Sequence, residues 1–396
     1  MEVKPPASES TAPATPPVDL AALRVRMDSV NERMLALFEE RMALSDEIAA
    51  LKRVSGQRPY DPAREREIIA RVRSEAPEGL GSAATVLFSL LMEMSRGRQD
   101  RLLRPSSPLG ERVAAAVAES PSHLPAGASV AVLGIEGSYS QLACEKMFKR
   151  PSVSFFRDAR GVVRAVAEGL CDYGVLPFEF TGEAGEGVVD LLCETDCHIV
   201  RMCEVRVARD LLALPGATLE GLREVVSDPR AAARCCAGTL ARDGVRFTTV
   251  GDAAEAARAV ASSGRLDLAA LCGRACADVY GLVPLERQVD LGPFGPMRFA
   301  CVGPGLRILP GADRTAIRMT LPNEPGSLYR VLARVYALDV NVASIASLPS
   351  RGCDEEARFL CELEASVYTP EFASLVCELD DICAGFSYLG SYCEVR

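Results

Sequence analysis

Residues 18–53, "VDLAALRVRMDSVNERMLALFEERMALSDEIAALKR", contain neither glycine nor proline. Nothing in them breaks a helix, so they read as one continuous helix. Their apolar positions (Leu20, Leu23, Met27, Val30, Met34, Leu37, Met42, Leu44, Ile48, Leu51) recur at helical spacing. At 1.5 Å per residue the stripe runs for about 50 Å. "SGQRPYDP" ends the segment, and Asp61 then caps a second helix with Pro62 at its first position. "APEGLGS" ends that one, and a third helix is predicted from about Ala83 to Leu103. Three helices with one such arm cannot close a core alone. A partner helix from a second copy is needed, so domain 18–104 is expected to dimerise.

The same helices carry cations at informative spacings. Arg41 and Lys52 are 11 residues apart, which at ~100° per residue returns them to nearly one face. Arg24 lies 17 residues before Arg41, about 25 Å along the axis. It cannot share a compact pocket with Arg41 of its own chain, but in an antiparallel dimer it would complete the neighbour's. Ser95 and Gln99 stand at i,i+4 and face one way. Spacing alone fits equally well a solvated charged surface on a coiled-coil arm. "LRVRMDSVNERMLALFEERMALSDEIAALKR…RPYDPARERE" and "FSLLMEMSRGRQD" resemble, nearly position for position, the all-helical chorismate mutases. The resemblance implies a pocket of Arg24 (from the partner), Arg41, Lys52, Asp61, Arg64, Glu65, Ser95 and Gln99. Chorismate is a dicarboxylate, and its pericyclic rearrangement to prephenate needs positioning and stabilisation of charge on the ether oxygen. In that reading Arg24 and Arg41 grip the carboxylates. Lys52 and Gln99, the catalytic pair, donate to the ether oxygen. Asp61, Glu65 and Ser95 hold the substrate hydroxyl and neighbouring cations.

"PSSPLGERVAAAVAESPSHLPAG", residues 105–127, reads as a linker. From 128 to 306 short apolar runs such as "SVAVLG", "YGVLPF", "REVVSD", "LAALCG" and "RFACVG" alternate with helical stretches, which signals an α/β domain. "VAVLGIEGSYSQLA" is a strand, a Gly-rich turn and a helix. Its free backbone N–H groups, with Ser138 and Ser140, form a natural anion site, though such turns are common. "GLCDYGVLPFEF", "VVSDPR", "YGLVPLE" and "DLGPFGPMRF" come in the order of the prephenate dehydratases. That resemblance implies two lobes of the periplasmic-binding-protein type (type II) with the substrate between them, held by Ser138, Ser140, Glu179 and Arg298. Five positions depart from the family's pattern. Its Thr-Arg-Phe reads Met297-Arg298-Phe299, and a thioether has no proton to give a departing hydroxyl. Its Pro-x-Glu-Asn ends in Phe180, its Ser-His-Pro-Gln reads Ser227-Asp228-Pro229-Arg230, and a following glutamine is Arg234. Three outcomes stay open: slow dehydration to phenylpyruvate, decarboxylation without aromatisation, or binding alone.

Residues 312–396 read βαββαβ, a ferredoxin-like α+β module with helices at 327–336 and near 370–379. "TLPNEPGSLYRVLARVYALDVNVASIASLPS" resembles the ACT modules that sense amino acids. Gly326, Ser327 and Leu328 fall on the ligand turn and Asn341 begins the next strand, which implies an allosteric phenylalanine site. The family's Glu-Ser-Arg-Pro is Ala346-Ser347-Leu348-Pro349 here, and a vestigial site in a dimerisation module is the other reading. The three modules in this order resemble the bifunctional chorismate mutase/prephenate dehydratases of phenylalanine biosynthesis. In a second reading the last two modules only regulate the mutase.

Composition narrows the classes. Net charge is −10, from 44 Lys+Arg against 54 Asp+Glu, which argues against nucleic-acid binding. No run of ~18 apolar residues predicts a membrane span. Residues 1–17 read as a disordered tail without a signal-peptide core. The 15 cysteines show no CxxC pair and only two histidines accompany them, so reduced thiols in a cytoplasm are expected rather than disulfides or a metal. Neither chemistry calls for a cofactor.

Overall fold

The computed structural model describes residues 19–56, 61–103, 108–178, 183–236, 245–290, 296–349 and 355–395. The 1–17 tail lies outside them. The chain divides after Pro105 into two compact units.

The first unit holds α1 (Leu20–Ser55), α2 (Pro62–Glu75) and α3 (Gly81–Leu103). Asp19 caps α1 by accepting from the Ala21 N–H at 3.0 Å. Gly56 closes it in the left-handed region, at φ 67°. Only Met42, Ser45 and Ala49 of α1 are buried. The first half of the helix, including Leu23, Met27, Met34 and Leu37, stays exposed. The apolar stripe therefore exceeds what α2 and α3 cover.

The second unit begins with α4 (Pro108–Glu119), inside the stretch expected as a linker. Its flanking Pro/Ser clusters hide an amphipathic segment whose Val113 and Ala116 are buried against Ile308, Phe372 and Leu375. Next come β1 (Ser129–Leu133), α5 (Tyr139–Met147), β2 (Ser152–Phe156), α6 (Ala159–Ala167), β3 (Tyr173–Pro177), α7 (Glu183–Glu194) and β4 (Cys197–Val205). The chain then crosses to a second lobe: β5 (Arg209–Ala213), β6 (Glu224–Ser227), α8 (Pro229–Cys236), β7 (Arg246–Thr249), α9 (Ala253–Ser263), β8 (Leu268–Gly273), α10 (Ala275–Tyr280) and β9 (Val283–Asp290). It returns through β10 (Met297–Pro304). The sheets run β4-β10-β3-β1-β2, extended at the β4 edge by the chain's last strand, and β7-β6-β8-β5-β9. In each, one antiparallel strand, β10 or β5, sits beside parallel ones. The loops leaving the parallel strands face the crevice between the lobes, where open α/β sheets bind ligands.

The C-terminal module has β11 (Arg314–Pro322), α11 (Ser327–Ala337), β12 (Asn341–Leu348), β13 (Glu356–Glu364), α12 (Pro370–Ile382), β14 (Gly385–Tyr392) and β15 (Glu394–Val395). Its sheet order is β12-β13-β11-β14, the ferredoxin-like arrangement. The helices cover one face. The other shares a core with the first lobe, where Leu360, Leu389 and Tyr392 meet Ile199, Met202 and Ala300. The tail finishes as β15, pairing parallel with β4 in the first lobe's sheet. Gly390, at φ 142°, lies against the β4 backbone, and a Cβ there would stand 2.1 Å from the Ile199 carbonyl oxygen. Among the described residues no helix is long and apolar enough to cross a membrane.

Candidate active sites

In the helical unit, α1 and α3 bring four of the expected residues together. Arg41 donates through Nη1 to the Ser95 hydroxyl and the Leu91 carbonyl. Lys52 Nζ donates to Gln99 Oε1 at 3.2 Å. Arg41 and Lys52 are half-buried and Ser95 and Gln99 buried, so these side chains are withdrawn from open solvent. The i,i+4 pair on α3 thus meets the i,i+11 pair on α1, as the periodicities require.

The contacts of the other expected residues are different. Asp61 caps α2, its Oδ1 accepting from Ala63 and Arg64 N–H groups, both at 3.1 Å. Arg64 is exposed and pairs with Glu67 at 2.7 Å. Glu65 lies 3.4 Å from Arg96, which also pairs with the buried Glu93. Sequence reading missed Arg96, whose only signal is its place beside Ser95. Arg24 sits on the exposed first half of α1.

In the second unit a cavity of about 430 Å³ opens between the lobes, a size that suits a small metabolite. Ser138 and Ser140 line it from the turn after β1. Ser138 caps α5, accepting from Gln141 N–H at 3.3 Å. Gly134 and Gly137 take φ of 104° and 85° there, and a Cβ on Gly137 would meet Cys276 Sγ at 3.1 Å. Met297 and Phe299 line the same cavity from β10. Glu179 and Phe180 lie outside the described residues, as does the side chain of Arg234.

Arg298 is a correction to the sequence reading. Alternation along β10 turns Met297 and Phe299 toward the cleft and Arg298 the opposite way. There it meets the C-terminal module. Its guanidinium donates to both oxygens of Glu362, at 2.9 and 2.6 Å, and to Glu394 at 2.6 Å. Tyr392 donates to Glu362 at 2.6 Å. Burial opposes the charge on both partners. The hydrogen bonds and mutual attraction outweigh it, holding Arg298 charged and Glu362 below its usual range.

Other charges occupy the cleft instead. Arg209 pairs with Asp228 at 2.9 Å, both nearly buried, and stands over the Tyr139 ring, 5.8 Å from its centroid. Arg157 from the first lobe and Arg230 from the second lie at the exposed mouth, and Asp252 and Glu255 line the cavity from the second lobe as well. Only Asp228, Arg230 and Arg234 had drawn notice in the sequence, through motif positions. Asp252 could have been found from "VGDAAEAA", a helix-capping aspartate in a strand-to-helix turn like that of Ser138.

The turn expected to hold a ligand in the C-terminal module lies between β11 and α11. Gly326, at φ 90°, precedes α11, Ser327 is buried and accepts from Arg330 at 3.2 Å, and Leu328 packs on the core. Asn341 is at the other end of the sheet. It is in register with Glu364 and Arg314, eight residues along β11 from Pro322, or about 27 Å at 3.4 Å per residue. Its side chain donates to Glu364 at 2.8 Å. One chain does not bring Asn341 to the turn.

Comparison with known proteins accords with this architecture. The chorismate mutase type II family model matches residues 23–100, and the prephenate dehydratase family model matches 130–305. An arogenate/prephenate dehydratase of Arabidopsis thaliana is 31% identical over 66% of this chain and 72% of its own length. A prephenate dehydratase from Arthrobacter aurescens, solved with L-Phe, superposes with a TM-score of 0.60 at 21% identity, covering 67% of this chain and 89% of its own. The chain belongs to the prephenate dehydratase family. Within it, the added mutase domain gives the make-up of the bifunctional chorismate mutase/prephenate dehydratases of phenylalanine biosynthesis. The relative of that kind in Stutzerimonas stutzeri is 28% identical over 94% of this chain and 97% of its own length.

Proposed function

We propose that the helical unit rearranges chorismate to prephenate in a pocket built on Arg41, Lys52, Ser95 and Gln99. The observation that carries this is the convergence of those four side chains across α1 and α3. Lys52 and Gln99 stabilise the charge growing on the ether oxygen. Arg24 completes the pocket from a second copy, whose α1 covers the exposed apolar face. Glu65, Asp61 and Arg64 border it from α2. The cleft then takes prephenate on the α5 turn, with Arg157 and Arg230 at its mouth for the carboxylates, and converts it to phenylpyruvate. The C-terminal module senses phenylalanine at Gly326–Leu328, with Asn341 supplied by the second copy. The described cysteines are free thiols, which supports a cytoplasmic setting.

Product analysis from chorismate with the whole chain tests both sites. Chorismate loss followed by an aromatic keto acid, seen by absorbance and mass, is expected. Met297 on the cleft wall favours a second reading in which no water is lost. A non-aromatic keto acid makes the cleft a decarboxylase, and accumulated prephenate makes it a binding module that regulates the mutase.

A further inference from the structure

Breaking the ring C–O bond of prephenate as free hydroxide is costly, so the leaving oxygen needs a proton in the transition state. Met297 has none to give. The described groups lining the cleft that do carry exchangeable protons can be compared by what already holds them. Tyr139 donates its hydroxyl to the Ala208 carbonyl at 2.8 Å. Ser138 and Ser140 belong to the α5 turn, which the reading above gives to holding the substrate. Asp228 faces the Arg209 cation as an ion pair, Oδ2 at 2.9 Å, and its Oδ1 accepts from the Ala231 N–H at 3.0 Å. Glu255 accepts from Gly251 N–H at 3.1 Å in an exposed setting.

Asp252 differs from all of these. Its Oδ1 caps α9, accepting from Ala254 and Glu255 N–H groups at 2.6 and 2.8 Å. Among the described residues Oδ2 accepts no hydrogen bond. It reaches toward the Gly-rich turn, and a Cβ on Gly134 would stand 2.9 Å from it. Glycine at 134 therefore leaves room for a carboxyl oxygen beside the Ser138 turn, inside the cleft.

We propose that Asp252 is the proton donor of the cleft, supplying through Oδ2 the proton that position 297 cannot. This rests on the dehydration reading above. As the ring carboxylate leaves as CO2, its bonding pair moves through the ring, the C–O bond breaks, and the oxygen departs as water with the Oδ2 proton. The Asp252 carboxylate takes its proton back from solvent, so one prephenate dianion and one proton give phenylpyruvate, CO2 and water.

The surroundings favour a carboxyl that keeps its proton. Burial raises the pKa of Asp252, the two N–H groups of α9 oppose this, and the negative charges of Glu255 and Asp228 raise it further, with a net upward shift. Glu255 faces it from its own helix, Asp228 from the start of α8 with Arg209 as counter-ion, and Cys276 and Tyr280 from α10.

Asp252→Asn tests the assignment, because asparagine caps a helix as well as aspartate. Prephenate turnover by the whole chain is followed as kcat, KM and product mass across pH. The variant is expected to lose about 100-fold or more in kcat, with KM within a few-fold and the thermal midpoint unchanged. Wild-type kcat should fall as pH rises and the carboxyl deprotonates, and the variant should not show that limb. Adding Met297→Thr to Asp252→Asn should restore part of kcat. A variant within threefold of wild type with the same pH profile overturns the acid role and leaves the dehydration reading standing. A wild-type chain that makes no aromatic product overturns both.

Discussion

Replacing Arg298 by methionine separates the two roles this residue has been given. In the structure it neutralises Glu362, which is 2% exposed and keeps otherwise, among the described residues, the Tyr392 hydroxyl at 2.6 Å and Arg314 at 3.5 Å. Removing one partner of a buried pair costs about 3–5 kcal/mol, because the other charge stays buried. For the unit 106–396, unfolding at about 2.1 cal/mol/K per residue turns this into a thermal midpoint lower by about 5–8 °C. The effect has a pH signature. The pKa of Glu362 is depressed in the folded chain. Its stabilisation is therefore present above the unfolded glutamate value of about 4.3 and lost as pH falls through the folded value. In Arg298→Met that contribution is absent, so the gap from wild type is widest near neutral pH and narrows on acidification. Adding Glu362→Gln should recover much of the loss, a coupling that a double-mutant cycle reads directly. Thermal melts of the whole chain at neutral and acid pH, alongside prephenate KM, are the assay. A midpoint within about 1 °C of wild type with a steeply raised KM would refute the reasoning and return Arg298 to the substrate.

In the helical unit, Lys52→Ala should lower chorismate turnover about 100-fold or more, the usual loss for an oxyanion donor, with near-normal turnover removing Lys52 from the catalytic pair. Leu23→Glu on the exposed half of α1 should shift the chain to monomer in light scattering and cut mutase activity, because Arg24 would no longer reach a neighbour's pocket. Gly390→Ala should destabilise by more than about 3 kcal/mol in urea melts, since its Cβ collides with the β4 backbone.

The parts readable from sequence were those fixed by local repeat. Helical period alone places Arg41 and Lys52 on one face of α1 and Ser95 and Gln99 on one face of α3. Chain order gives the ferredoxin-like module, and a glycine-rich run before a helix gives the Ser138 turn. What could not be read depends on which distant layer each face meets. Helix α4 was hidden because its Pro/Ser flanks resemble a linker, and its burial comes from Phe372 and Leu375, more than 250 residues away. Arg209 opens a five-residue strand and Asp252 caps α9, but only the closing of two lobes around one cavity makes them neighbours of Met297. Asn341 was paired with the Gly326 turn by motif, yet strand register puts a full sheet length between them in one chain.

Strand β10 shows why the arginine was misread. A charged residue inside an apolar run needs either a ligand or a partner, and sequence cannot tell which, because period 2 fixes only that neighbours face opposite ways. Placing the C-terminal sheet on one side of β10 decides the matter. Met297 then borders the cleft while Arg298 borders the module resembling an effector sensor, and the two are joined by one peptide bond. A displacement of the β10 backbone moves both side chains, whereas rotation of a side chain alone can part Arg298 from Glu362 or Glu394. The cavity wall at Met297 and the contact of Arg298 to the C-terminal module are thus adjacent positions of one strand, and a change of register or twist in β10 reaches both sides at once.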